Sequence, residues 1–99
     1  MKIDHEKYDA LFDAILSLEN REECRNFFED LCSIKELCDL SGRYEVALLL
    51  SDNCSYTEVS KKTGASTATI CRVNKSLNYG CDGYKKVIAR MKEKQGKKA

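Results

Sequence analysis

The chain of 99 residues contains no proline, one histidine and no tryptophan. Without proline, no position is barred from a helix interior by a missing amide donor and a ring clash. The single histidine, His5, and the absence of any C-x-x-C pair leave a zinc site with neither ligands nor spacing. There is no glycine-rich phosphate loop and no convincing nucleophile–base pair, which argues against an enzyme. No apolar run is long enough to cross a bilayer, and the N-terminus lacks the basic-then-apolar pattern of a secretory signal. A cytoplasmic location, no membrane partner and no metal are therefore expected.

The cysteines are Cys24, Cys32, Cys38, Cys54, Cys71 and Cys81. In a cytoplasmic chain they read as thiols rather than a disulfide framework. Cys24, Cys32 and Cys38 lie among Phe27, Phe28, Leu31 and Leu37, where free cysteine behaves as a small apolar core side chain. Hydrophobic residues make up 42% of the chain, enough for one folded domain or a share of an oligomer's core.

The net charge of +1 hides an asymmetry. Residues 1–54 carry 6 Lys and Arg against 13 Asp and Glu, a balance of −7, whereas residues 55–99 carry 11 against 3, a balance of +8. The closing "KEKQGKKA" reads as a basic, flexible tail over 92–99. Without it the second half still holds Lys61, Lys62, Arg72, Lys75, Lys85, Lys86 and Arg90. A basic half of this kind suits an anionic partner.

Helix signals recur along the chain and predict an all-α protein. Tyr8, Leu11, Phe12, Ile15 and Leu18 form one apolar stripe on a first helix from about His5. Asn20 with Glu23, Ser33 with Glu36, and Ser55 with Glu58 have capping-box spacing. Ser41-Gly42 is expected to break the helix that starts at Ile34, and "RYEVALLL" to open another. Gly64 should end the short helix "YTEVSKKT", because a residue past a helix C-terminus often takes a left-handed backbone. Ser66 or Thr67 caps the next helix, to about Asn78. A last helix spans about 84–94, built on Tyr84, Val87, Ile88 and Met91. The apolar stripes of the helices over about 5–50 are material for a homodimer.

Two short helices joined by "TGAS" have the layout of a helix-turn-helix over about 55–78, with the second helix free to enter a major groove. Projected on that helix, Ile70, Val73 and Leu77 fall within about 60° of one another. The opposite arc holds Ala68, Cys71, Arg72, Lys75 and Tyr79, with Thr69 and Ser76 on one shoulder and Thr67 and Asn78 on the other. Short side chains let the backbone approach base edges, methyls can meet thymine methyls, and basic groups can neutralise phosphates.

The segment "YTEVSKKTGASTATICRVNKSLNYG" resembles the DNA-binding region of the tryptophan repressor family, in its tryptophan repressor-like bacterial branch. The most specific part is "TGASTATICRVNKSL", and the similarity spans about Leu37 to Leu77. That resemblance implies a Trp repressor-like helical domain over 1–91. It also implies an intertwined homodimer acting as a repressor-type transcription regulator on palindromic double-stranded DNA, with recognition helices in successive major grooves roughly 34–36 Å apart. By position, Thr67, Ala68 and Cys71 would face base edges, and Thr57, Thr69 and Asn78 the DNA backbone. Arg72 would correspond to an arginine gripping the corepressor carboxylate, and Ser76 to a serine near its amino group. Arg43 becomes the second pocket arginine with a one-residue gap before Ser55.

One departure concerns the corepressor. Val73 stands where tryptophan-responsive members have glycine, so its side chain is expected to take the room of the indole; overpacking such a site costs about 1–3 kcal/mol. L-tryptophan is therefore not expected as a cofactor, no effector is assigned, and Arg72 reads equally as a ligand contact or as a phosphate contact or surface ion pair. A different class of function is a protein-interaction adaptor that keeps the helix-turn-helix without specific DNA binding.

Overall fold

The computed structural model describes residues 4–97. It consists of six α-helices and, among the described residues, no strand: α1 His5–Leu16, α2 Arg21–Leu31, α3 Ile34–Ser51, α4 Tyr56–Thr63, α5 Thr67–Tyr79 and α6 Gly83–Lys97. The chain divides into two compact units, one ending at Leu37 and the other beginning at Cys38.

In the N-terminal unit the caps do most of the local work. Asp4 accepts from the Lys7 amide at the start of α1. The Asn20 side chain accepts from the Glu23 amide at 2.9 Å. The Glu23 carboxylate reaches back to the Glu19 amide at 3.0 Å, one residue beyond the reciprocal partner that the sequence spacing predicts. Ser33 and Glu36 close the full box, with bonds of 3.1 and 2.9 Å. The Ser33 backbone amide, and then its hydroxyl, hold the Glu36 carboxyl below its ordinary value of 4.5. Neither α1 nor α2 has a buried residue. Tyr8, Phe12, Leu16, Leu31 and Ile34 are exposed, with Leu16 and Ile34 at 82% and 84%.

The C-terminal unit contains the core. Val46 and Ala47 of α3, Val59 of α4, Ile70 and Val73 of α5 and Ile88 of α6 are buried together. Tyr44, Leu48, Leu49, Leu50, Cys54, Ala65 and Tyr84 pack around them. Asn53 turns the chain from α3 into α4 at φ 65°, a left-handed conformation that asparagine tolerates. The Cys54 amide then donates back to Leu49 at 3.1 Å. Lys92 pairs with Asp52 at 2.8 Å, tying α6 to the end of α3. Both side chains are more than half exposed, so the pair is worth well under ~1 kcal/mol.

Three expectations are corrected. Ser41-Gly42 does not break a helix; α3 runs through it. An interior glycine costs a helix only about 1 kcal/mol, and burial of Val46 and Ala47 on the same helix outweighs it. The tail is also shorter than expected, because α6 stays helical to Lys97; residues 98 and 99 lie outside the described residues. Cys24 and Cys38 are exposed and Cys32 is half-buried, so they are not core thiols of this chain. α2, which carries Cys24 and has Cys32 as its C-cap, has no buried residue, and Cys38 lies on an exposed position of the first half of α3.

Candidate nucleic-acid interface

α4, the turn 64–66 and α5 form a helix-turn-helix held by side chains that satisfy the turn's own backbone. Ser55 and Glu58 close a capping box at the start of α4. At its other end Gly64 takes φ 74° and its amide donates to Ser60 at 2.8 Å. The Thr63 hydroxyl donates to the Val59 carbonyl at 2.8 Å and accepts from the Ala65 amide at 3.1 Å. The Ser60 hydroxyl donates to the Ala65 carbonyl at 3.3 Å. Ser66, not Thr67, caps α5, accepting from the Thr69 amide at 3.2 Å. Small hydroxyl residues thus pin the turn from both sides, and Val59 and Ile70 lock the two helices into one core.

α5 has two unlike faces. Ile70, Val73 and Leu77 are buried. Thr67, Ala68, Cys71, Arg72, Lys75, Ser76, Asn78 and Tyr79 are exposed, as is Thr57 on α4. Thr69 is half-buried, and its hydroxyl accepts from Ser66 at 3.1 Å, so it serves the cap. The Asn78 side chain donates to the Asn74 carbonyl at 2.9 Å and to its side-chain oxygen at 3.0 Å, which fixes its rotamer along the helix. Lys61 and Lys62 end α4 and are exposed, their charge favoured there by the helix dipole.

Of the four residues expected around an effector, three come together. Arg43, Arg72 and Val73 line one cavity of 150 Å³ with Ala68 and Thr69. Ser76 does not join them. It lines a separate apolar cavity of 540 Å³ with Tyr44, Gly80, Cys81, Gly83, Tyr84 and Val87. Sequence reasoning missed Tyr44 and Gly80 as wall residues. Only the packing of α3 and α6 beside the end of α5 puts them there. A side chain at Gly80 would run into the Ser76 carbonyl, to which the Gly80 amide donates at 3.0 Å. Among the described residues, no group of three or more His, Cys, Asp or Glu is placed to hold a metal ion.

An all-helical chain with a capped helix-turn-helix and a one-sided second helix has the architecture of a DNA-binding regulator. The model of the Trp repressor protein family matches residues 6–92, and the chain belongs to that family. It is 48% identical over 92 residues to the uncharacterised protein YerC of Bacillus subtilis strain 168, covering 93% of this chain and 88% of YerC. A crystal structure of a candidate Trp repressor from Staphylococcus aureus superposes with a TM-score of 0.85 at 46% identity, over 92% of this chain and 96% of that one. A TrpR-like protein from Eubacterium eligens ATCC 27750 gives 0.84 at 52% identity, over 87% and 89%. The family match takes in α1 and α2, well before the Leu37 at which the sequence resemblance begins. No described helix is long and apolar enough to cross a membrane.

Proposed function

We propose that the protein is a homodimeric, sequence-specific DNA-binding transcriptional regulator of repressor type, acting through α5 on a palindromic operator. The observation that carries this reading is the division of α5. Protein covers only Ile70, Val73 and Leu77, while Thr67, Ala68, Cys71, Arg72 and Lys75 stay exposed on a helix whose first turn is capped by Ser66. Short side chains at the N-terminal end suit close approach to base edges, and Arg72 and Lys75 suit phosphates. Thr57, Thr69 and Asn78 belong beside the DNA backbone. Thr69 and Asn78 do so as ordered groups, through the bonds to Ser66 and Asn74.

Dimerisation is supported by the N-terminal unit, whose helices have apolar stripes and no buried residue. A second copy is the natural cover for Phe12, Leu16 and Ile34, and it would place two α5 helices on one duplex. L-tryptophan is not part of the proposal. Val73 is 2% exposed and belongs to the core beside Arg72, which supports a cavity too small for an indole there. Titration calorimetry with L-tryptophan checks this, and micromolar binding would refute it.

Selection of bound duplexes from random DNA is the decisive experiment. An enriched, two-fold symmetric site should emerge, and log K should fall with log salt by about 0.9 per phosphate contacted. Recovery of no enriched sequence and no bound DNA would sink the proposal in favour of an adaptor that works through its acidic N-terminal half.

A further inference from the structure

We propose that Arg43 and Arg72 form a cradle for a backbone phosphate of the bound duplex, so that the protein engages its operator without a small-molecule effector between these two arginines. This inference rests on the DNA-binding reading above.

The two arginines come from different helices, α3 and α5, and line the same cavity of 150 Å³. Among the described residues, neither guanidinium has an ion pair or a side-chain hydrogen bond with the protein. No carboxylate lines that cavity. Asp39 lines a separate cavity of 330 Å³ that Arg43 also lines. Two like charges brought to one place with no counter-charge favour an anion between them. The first turn of α5 adds to the same field, since Ala68 and Thr69 complete the wall and a helix N-terminus favours negative charge.

Size and position select the anion. Ligand pockets usually measure roughly 300–1,000 Å³, and this one is half the lower bound. It cannot grow without displacing Val73, whose side chain is packed with Val46, Val59 and Ile70. A compact anion fits, whereas an amino acid with a ring does not. Ala68 lines the cavity and also lies on the exposed end of α5 proposed to face base edges. A phosphate of a duplex lying along α5 is thus within reach of both arginines. Arginine forks suit that partner better than lysine, because they can bond two phosphate oxygens at once.

The test uses the full chain, exhaustively dialysed, with the duplex recovered by selection and affinity read by fluorescence anisotropy across a salt series. Wild type should bind with no added small molecule, and neither L-tryptophan nor millimolar acetate should tighten it. Arg43→Ala and Arg72→Ala should each weaken binding by roughly 10–100-fold and lower the salt slope by about one, with the preferred sequence unchanged. Arg43→Lys should retain most of the slope, which separates loss of charge from loss of fold. Unchanged slopes in both alanine variants would overturn the cradle while leaving DNA binding intact. Binding that appears only on adding L-tryptophan, acetate or inorganic phosphate would overturn effector independence. A wild type that enriches no duplex would overturn both this inference and the reading beneath it.

Discussion

The helices before Leu37 and those after it use the same local devices to different ends. Both halves have capping boxes of similar geometry, at Ser33–Glu36 and at Ser55–Glu58. Yet α1 and α2 bury no side chain, while α3 to α6 enclose Val46, Ala47, Val59, Ile70, Val73, Leu77 and Ile88. Charge divides along the same line, at −5 for residues 1–37 and +6 for residues 38–99. Caps worth about 1 kcal/mol each set where helices begin. They cannot hold short helices in water, which are marginal below about 12–15 residues without tertiary packing. The C-terminal unit supplies that packing for itself, and under the proposed assembly the N-terminal unit obtains it from a second copy.

Substitutions in each half should separate these two sources of stability. The largest effect is expected from Ile70→Ala. It removes a side chain that is 1% exposed at the junction of α4 and α5, and it should cost about 2–5 kcal/mol in chemical denaturation. Phe12→Asp should act differently. It places a charge on an apolar stripe that is 51% exposed within one chain. Self-association measured by sedimentation should weaken by at least about ten-fold, while the helical content of the C-terminal unit persists. Equal behaviour of monomeric and associated protein in that variant would remove the distinction between the halves.

Gly64→Ala should cost about 1–2 kcal/mol, the penalty of a Cβ in the left-handed region. Nothing lies within 4 Å of the added atom, so the cost is conformational rather than steric. The smallest effect concerns Glu36. Its carboxyl is held below its ordinary value by the Ser33 amide and hydroxyl. The charged form is therefore favoured by folding. That contribution is complete above the ordinary value of 4.5 and is lost as pH falls through the lower folded value. Glu36→Gln should flatten this part of an acid titration of stability followed by circular dichroism, and leave the neutral plateau nearly unchanged.

Much of the candidate site was legible because its signals are local. The Ser66 cap, the left-handed Gly64 and the spacing of Ile70, Val73 and Leu77 all lie within one segment of two helices. The break expected at Ser41-Gly42 failed for the opposite reason. Local propensity there is weak, and packing of Val46 and Ala47 decides the helix. The resemblance grouped Arg43 and Arg72 with Ser76, whereas the structure leaves the two arginines at one cavity and puts Ser76 at another. Periodicity alone has no access to that separation, because Ser76 stands one helical turn from Arg72 and yet faces a different cavity.

By itself the sequence determined the helical class, the three caps with Glu partners, the helix-turn-helix and the polarity of charge. These follow from short-range geometry, from which a side chain four residues away can satisfy an amide, and from counting charges. Only the tertiary structure decided that α3 is unbroken, and that Arg43 and Arg72 meet at one cavity while Tyr44 and Gly80 wall another. Those outcomes depend on which helix faces oppose one another, and that is settled by burial summed over all of them.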